Sequence, residues 1–109
     1  KIESTLNNAR RACEVIEREG SLARFVWRFE PPPAERPSEL THAALLAITQ
    51  TPSSRALSKA LKRAGWSFVG PTTCYAFMQA IGVVNDHLHG CDARPRVEAA
   101  RAAFARPLT

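Results

Sequence analysis

Apolar residues recur along the first twenty positions at the spacing of a helix. Ile2, Leu6, Ala9, Cys13 and Ile16 follow one another at steps of four, three, four and three, which gathers them on one face. Gly20 supplies the left-handed residue that commonly ends such a helix. Residues 22–29 (LARFVWRF) are apolar and aromatic and predict one or two further turns. Pro31, Pro32, Pro33 and Pro37 then remove backbone donors and favour extended chain. This stretch is an internal loop, because neither flank is long enough to fold alone. Residues 42–48 form a short apolar run assigned to helix.

Past Pro52, Ser53 or Ser54 is the expected N-cap of a helix reaching Arg63. Ala56, Leu57, Ala60, Leu61 and Ala64 make its apolar stripe, and Arg55, Lys59, Lys62 and Arg63 its other face. Gly65 stops it. Trp66 and Phe68 are expected to face the core from a short connector, and Gly70-Pro71 opens the next helix with proline in its first turn. Cys74, Phe77, Met78 and Ile81 continue at helical spacing. No pair of alternating strands appears, so the fold class is all-α, with residues 1–109 forming a single helical domain. Residues 92–109, including RVEAARAAFA, have high helix propensity but a narrow apolar face, and are read as a frayed helical tail.

Composition narrows the class. No apolar run approaches the roughly 18 residues of a membrane span, and the start lacks the pattern of a signal peptide. A soluble, cytoplasmic, monomeric chain is expected. Cys13, Cys74 and Cys91 are odd in number and irregularly spaced, which argues for reduced thiols. Cys13 and Cys74 fall on apolar helix faces, where cysteine acts as a small buried hydrophobe. The net charge is +5, but its distribution is more telling. No Asp or Glu occurs from Leu40 to Asn85, whereas Arg55, Lys59, Lys62 and Arg63 all lie there. Nucleic acid is a natural partner for that charge, and a solvated basic face is equally compatible with it.

One pair of residues has metal-ligand spacing. His87 and Cys91 are four apart, so on a helical turn both side chains would share a face and a zinc ion. A capping or core histidine is the alternative on spacing alone. Asn85 and Asp86 are placed to cap that turn or to hydrogen-bond the imidazole. No catalytic set stands out: there is no paired carboxylate in an apolar setting and no clustered glycine loop. Ser58 and Lys59 are both expected on a helix surface, and Trp27 and Trp66 are assigned to packing rather than to base stacking.

The string ALSKALKRAGWSFVGPTTCYAFMQAIGVVNDH, followed by the step from His87 to Cys91, resembles the C-terminal half of the 3-methyladenine DNA glycosylase I family. KIESTLNNARRA at the start is similar to the helix that follows this family's DNA-binding helix-hairpin-helix. Together these cover nearly the whole chain, with the proline-rich middle the least alike.

The resemblance implies an all-α member of the helix-hairpin-helix glycosylase superfamily, of which the N-terminal part is not in this sequence. Such enzymes flip an alkylated adenine out of double-stranded DNA and hydrolyse its N-glycosidic bond without lyase activity. The resemblance also implies a structural zinc, for which His87 and Cys91 match two of the four ligands. Lys1 falls where the hairpin joins its following helix, close to a DNA phosphate. Lys59, Lys62 and Arg63 are the other expected DNA contacts. The hairpin, the residues that read the base and the remaining zinc ligands belong to a region that would precede Lys1, so no catalytic residue is assigned here. At Ala76 some family members carry a serine. Two expectations follow: part of a DNA repair glycosylase, or a non-catalytic helical DNA-binding or scaffold fragment of the same fold.

Overall fold

Helices account for most of the chain in the computed structural model, which describes residues 2–32, 35–36, 42–88 and 90–107, with Leu45 described in its backbone alone. In order they are α1 (Ile2–Glu19), α2 (Leu22–Trp27), α3 (His42–Leu46), α4 (Pro52–Arg63), α5 (Pro71–Ala80) and α6 (Ala93–Ala103). No strand occurs among the described residues, as the all-α reading expects. No helix among them is long and apolar enough to cross a membrane.

α4 begins two or three residues earlier than the serines suggest. Thr51 is the N-cap, Pro52 takes the first helical position and Ser54 the third. The Ser54 amide donates to Thr51 Oγ1 at 3.1 Å, and the Thr51 amide donates to Ser54 Oγ at 2.8 Å. This reciprocal pair satisfies two donors that a helix start leaves open. Glu35 adds a carboxylate to the same end, accepting from the Ser53 amide at 2.9 Å and from its hydroxyl at 2.7 Å, where the helix dipole favours negative charge.

α4 packs against α5, and α1 against α2. Val15, Phe25, Val26, Trp27, Leu57, Leu61, Cys74, Tyr75, Met78, Val83 and Val84 form the core. Full burial of a side chain such as Leu57 stabilises the fold by about 1.5–3 kcal/mol. Ser58 is buried too, and its hydroxyl donates to the Val69 carbonyl at 2.5 Å. The expected surface position of Ser58 is therefore wrong: a hydroxyl fits the interior because the α4–α5 connector presents a carbonyl to it.

The stripe along α1 is real in spacing but is not the face this chain buries. Ile2 is 80% exposed and Leu6 56%, and Ile16 and Cys13 are also exposed, so Cys13 is not a core thiol. α1 instead buries Val15 and reaches the connector after α4 with two asparagines. Asn7 donates to the Gly65 carbonyl at 2.9 Å. Asn8 donates to the Ser67 carbonyl at 2.8 Å and accepts from its amide at 2.9 Å. Gly65 has a φ of +90°, so the backbone there asks for glycine, and the Arg11 side chain lies 3.0 Å from where a Cβ would stand. Beyond this anchored bend, Trp66 packs against the core as expected. Phe68 does not: it is 72% exposed with a φ of +56°. The bonds that hold Ser67 and Val69 on either side fix the backbone and turn the ring outward.

Candidate functional site

Two regions carry chemistry. On α4, Leu57, Ser58 and Leu61 face inward while Arg55, Lys59, Lys62 and Arg63 stay exposed. These four cations line one shallow groove of about 470 Å³ together with Pro71. Among the described residues, none of Lys59, Lys62 and Arg63 has a carboxylate within ion-pair distance, whereas arginines elsewhere pair with Glu14, Glu19, Glu30 and Asp86. Arg55 donates to Gln50 at 3.3 Å. Concentrated, unneutralised positive charge attracts a polyanion. Lys1 lies outside the described residues.

The second region follows α5. Gly82 turns the chain, and the amides of Val83 and Val84 both donate back to the Met78 carbonyl at 3.0 and 3.3 Å. This tucks two valines into the core and leads the chain out again to His87. Residues 85–88 are not helical, so His87 and Cys91 do not sit on successive turns of one helix. His87 lies just before a turn closed by the Cys91 amide donating to the Leu88 carbonyl at 3.0 Å. Both side chains are exposed. Asn85 bends the chain before that turn: its Oδ1 accepts from the His87 amide at 3.3 Å. Among the described residues no group of three or more His, Cys, Asp or Glu side chains is placed to hold a metal ion; His89 lies outside them. An accessible imidazole and thiol are zinc donors in type, but two side chains fall short of the four ligands that a closed structural site needs.

Asp86 turns the other way. Arg36 and the Tyr75 hydroxyl both donate to its carboxylate, and Gln79 Nε2 does so at 2.8 Å. The Asp86 side chain is 6% exposed, and the Arg36 guanidinium also lies over the Tyr75 ring, 5.7 Å from its centre. Burial, and then the bond to Asp86, push the Tyr75 phenol up to about 12. The cluster fastens residues 35–36 and the chain before His87 to α5. Sequence reasoning missed Arg36 and Tyr75. The available signal was Asp86 itself, a lone acid in an apolar stretch that must find a partner when buried.

Another carboxylate of this part of the molecule is likewise occupied. Glu30 accepts from Arg101 and Arg106 at 2.9 Å each, and Arg106 holds its carboxyl below the ordinary 4.5. Cys74 is buried, donates weakly to the Val69 carbonyl, and has its thiol pushed up by burial, which makes it an inert core group. Trp27 packs 4.8 Å from the Phe104 ring, with Arg106 over both rings.

Comparison with known proteins places this arrangement. The family described as methyladenine glycosylase matches residues 1–95. DNA-3-methyladenine glycosylase 1 of Escherichia coli is 42% identical over 97 residues, which cover 87% of this chain and 50% of that protein. DNA-3-methyladenine glycosylase of Haemophilus influenzae is 39% identical over 92 residues, covering 84% and 48%. The crystal structure of a 3-methyladenine DNA glycosylase I superposes with a TM-score of 0.68 at 47% identity, over 86% of this chain and 50% of that one. The chain thus spans about half the length of the relatives it matches, and it belongs to the methyladenine glycosylase family.

Proposed function

We propose that this chain contributes about half of a DNA repair glycosylase that hydrolyses the N-glycosidic bond of 3-methyladenine in alkylated double-stranded DNA. The observation that carries this reading is the family match over residues 1–95, together with relatives named for that activity. The chain frames rather than performs the chemistry. Asp86 and Glu30 are engaged by arginines and Glu35 by Ser53, which ties these three carboxylates to the fold, and the acid–base group and the aromatic base pocket are assigned to the other half of the enzyme.

Within the whole enzyme, His87 and Cys91 hold one side of a structural zinc, which cross-links this turn to ligands from the other half. Lys59, Lys62 and Arg63 meet DNA phosphates, and Lys1 approaches one at the start of α1. The N-terminal half carries the helix-hairpin-helix. The enzyme acts as a monomer in the cytoplasm. Methylation at N3 makes the adenine cationic and weakens its glycosidic bond, so capture of the flipped base supplies much of the selectivity.

The reading is tested with the 109-residue chain itself, incubated with methylated DNA and zinc. A folded chain is expected to release no free 3-methyladenine. Release would place the reacting groups within these residues and overturn the division of labour.

A further inference from the structure

α6 is an unusual element, because all but its first turn lies beyond the family match and it buries none of its residues. Polar contacts hold it, and they run along the chain that leads to His87. Arg101 donates to the carbonyls of Gly82 and, at 2.7 Å, Val83. Asn85 Nδ2 donates to the Arg94 carbonyl at 3.1 Å and to Glu98 at 2.8 Å. Arg94 Nη1 donates to the carbonyls of Asn85 at 3.1 Å and His87 at 2.8 Å. The far end is pinned separately, by Arg101 and Arg106 on Glu30 and by Phe104 on Trp27.

Four carbonyls of a non-helical stretch, at Gly82, Val83, Asn85 and His87, thus find their donors on α6. Backbone groups without such partners would be left to water and the stretch would be free to move. We propose that α6 is a positioning element for the turn bearing His87 and Cys91, with Arg94 as its positioning residue. The inference rests on the reading of those two side chains as zinc ligands. A ligand turn that is ordered before the metal arrives has less freedom to lose on binding. Linkage then makes the effect mutual: docked α6 tightens metal binding, and bound metal tightens the docking of α6. Arg94 holds the His87 carbonyl rather than the metal, as supporting contacts around ligands commonly do.

The test uses the full chain as wild type, Arg94→Ala, Arg94→Lys and Phe104→Ala. Amide exchange reports the turn and α6, and titration with zinc is followed on the His87 ring signals. Arg94→Ala is expected to speed exchange at residues 85–88, 90 and 91 without touching that of α4, and to weaken zinc binding about tenfold. Arg94→Lys restores part of both effects. Phe104→Ala frees α6 from its other end and weakens zinc in the same direction, while zinc added to wild type slows exchange in α6. Unchanged exchange in the turn of Arg94→Ala overturns the proposal. So does a loosened turn with unaltered zinc affinity. If zinc leaves the wild-type His87 signals unmoved while Arg94→Ala still loosens the turn, the coupling of α6 to zinc binding in this chain fails and the α6 clamp alone stands.

Discussion

The Tyr75 hydroxyl donates to the carboxylate of Asp86, and both side chains are withdrawn from water. With Arg36 as the counter-charge, this pair joins α5 to the chain immediately before His87. Removing one partner of a buried ion pair strands the other, at about 3–5 kcal/mol when burial is complete. Asp86→Ala should therefore destabilise the fold by about 3 kcal/mol, and Tyr75→Phe by about 1 kcal/mol, both read from urea midpoints.

The same pair sets an alkaline limit. Tyr75 ionises at about 12 in the folded chain against an ordinary value of 10. The unfolded chain therefore gives up this proton first as pH rises. The stabilisation is complete below pH 10 and declines between 10 and 12. Tyr75→Phe should flatten that part of the stability profile, and a profile of unchanged slope would contradict the assignment.

Glu30 behaves in the opposite sense. Its carboxyl lies below 4.5, first through the bond from Arg106, so its hold on the tail persists above that value and is lost as pH falls further. Amide protection of residues 101–106, measured relative to the intrinsic exchange rate at each pH, should fall on acidification below pH 4.5 and, at pH 7, in Glu30→Gln.

Phe68 holds a left-handed backbone with its ring exposed. Phe68→Gly should raise the stability of this chain by about 1 kcal/mol by relieving that conformation. Trp66→Ala, at a position packed on the core, should lower it by about 3 kcal/mol.

Replacing Lys59, Lys62 and Arg63 with alanine should reduce the dependence of the logarithm of DNA affinity on that of salt concentration by about 2 to 3. An unchanged slope would remove α4 from the DNA interface.

Local signals in the sequence located most helices, because their punctuation is local. Gly20, Gly65 and Gly70-Pro71 mark chain reversals or helix starts whatever packs around them. The N-cap of α4 was displaced from Ser53 or Ser54 to Thr51 because Pro52 fits the first helical position and Ser54 works from the third. What local pattern does not carry is the identity of the covering partner. The stripe of Ile2, Leu6 and Ile16 has helical spacing yet remains exposed, while α1 docks through Asn7 and Asn8 onto carbonyls 58 and 59 residues away. The metal-ligand spacing of His87 and Cys91 was legible, but the turn that carries them depends on Asn85, Leu88 and Arg94, whose contacts no helical period reveals.

Base release by a chimera addresses the central claim most directly. The matching residues of the Escherichia coli relative would be replaced by this chain, and free 3-methyladenine released from methylated DNA would be measured. The account predicts release by the chimera, and none by a folded 109-residue chain alone. A chimera that folds and binds DNA yet frees no base would contradict the claim that this chain serves a 3-methyladenine glycosylase.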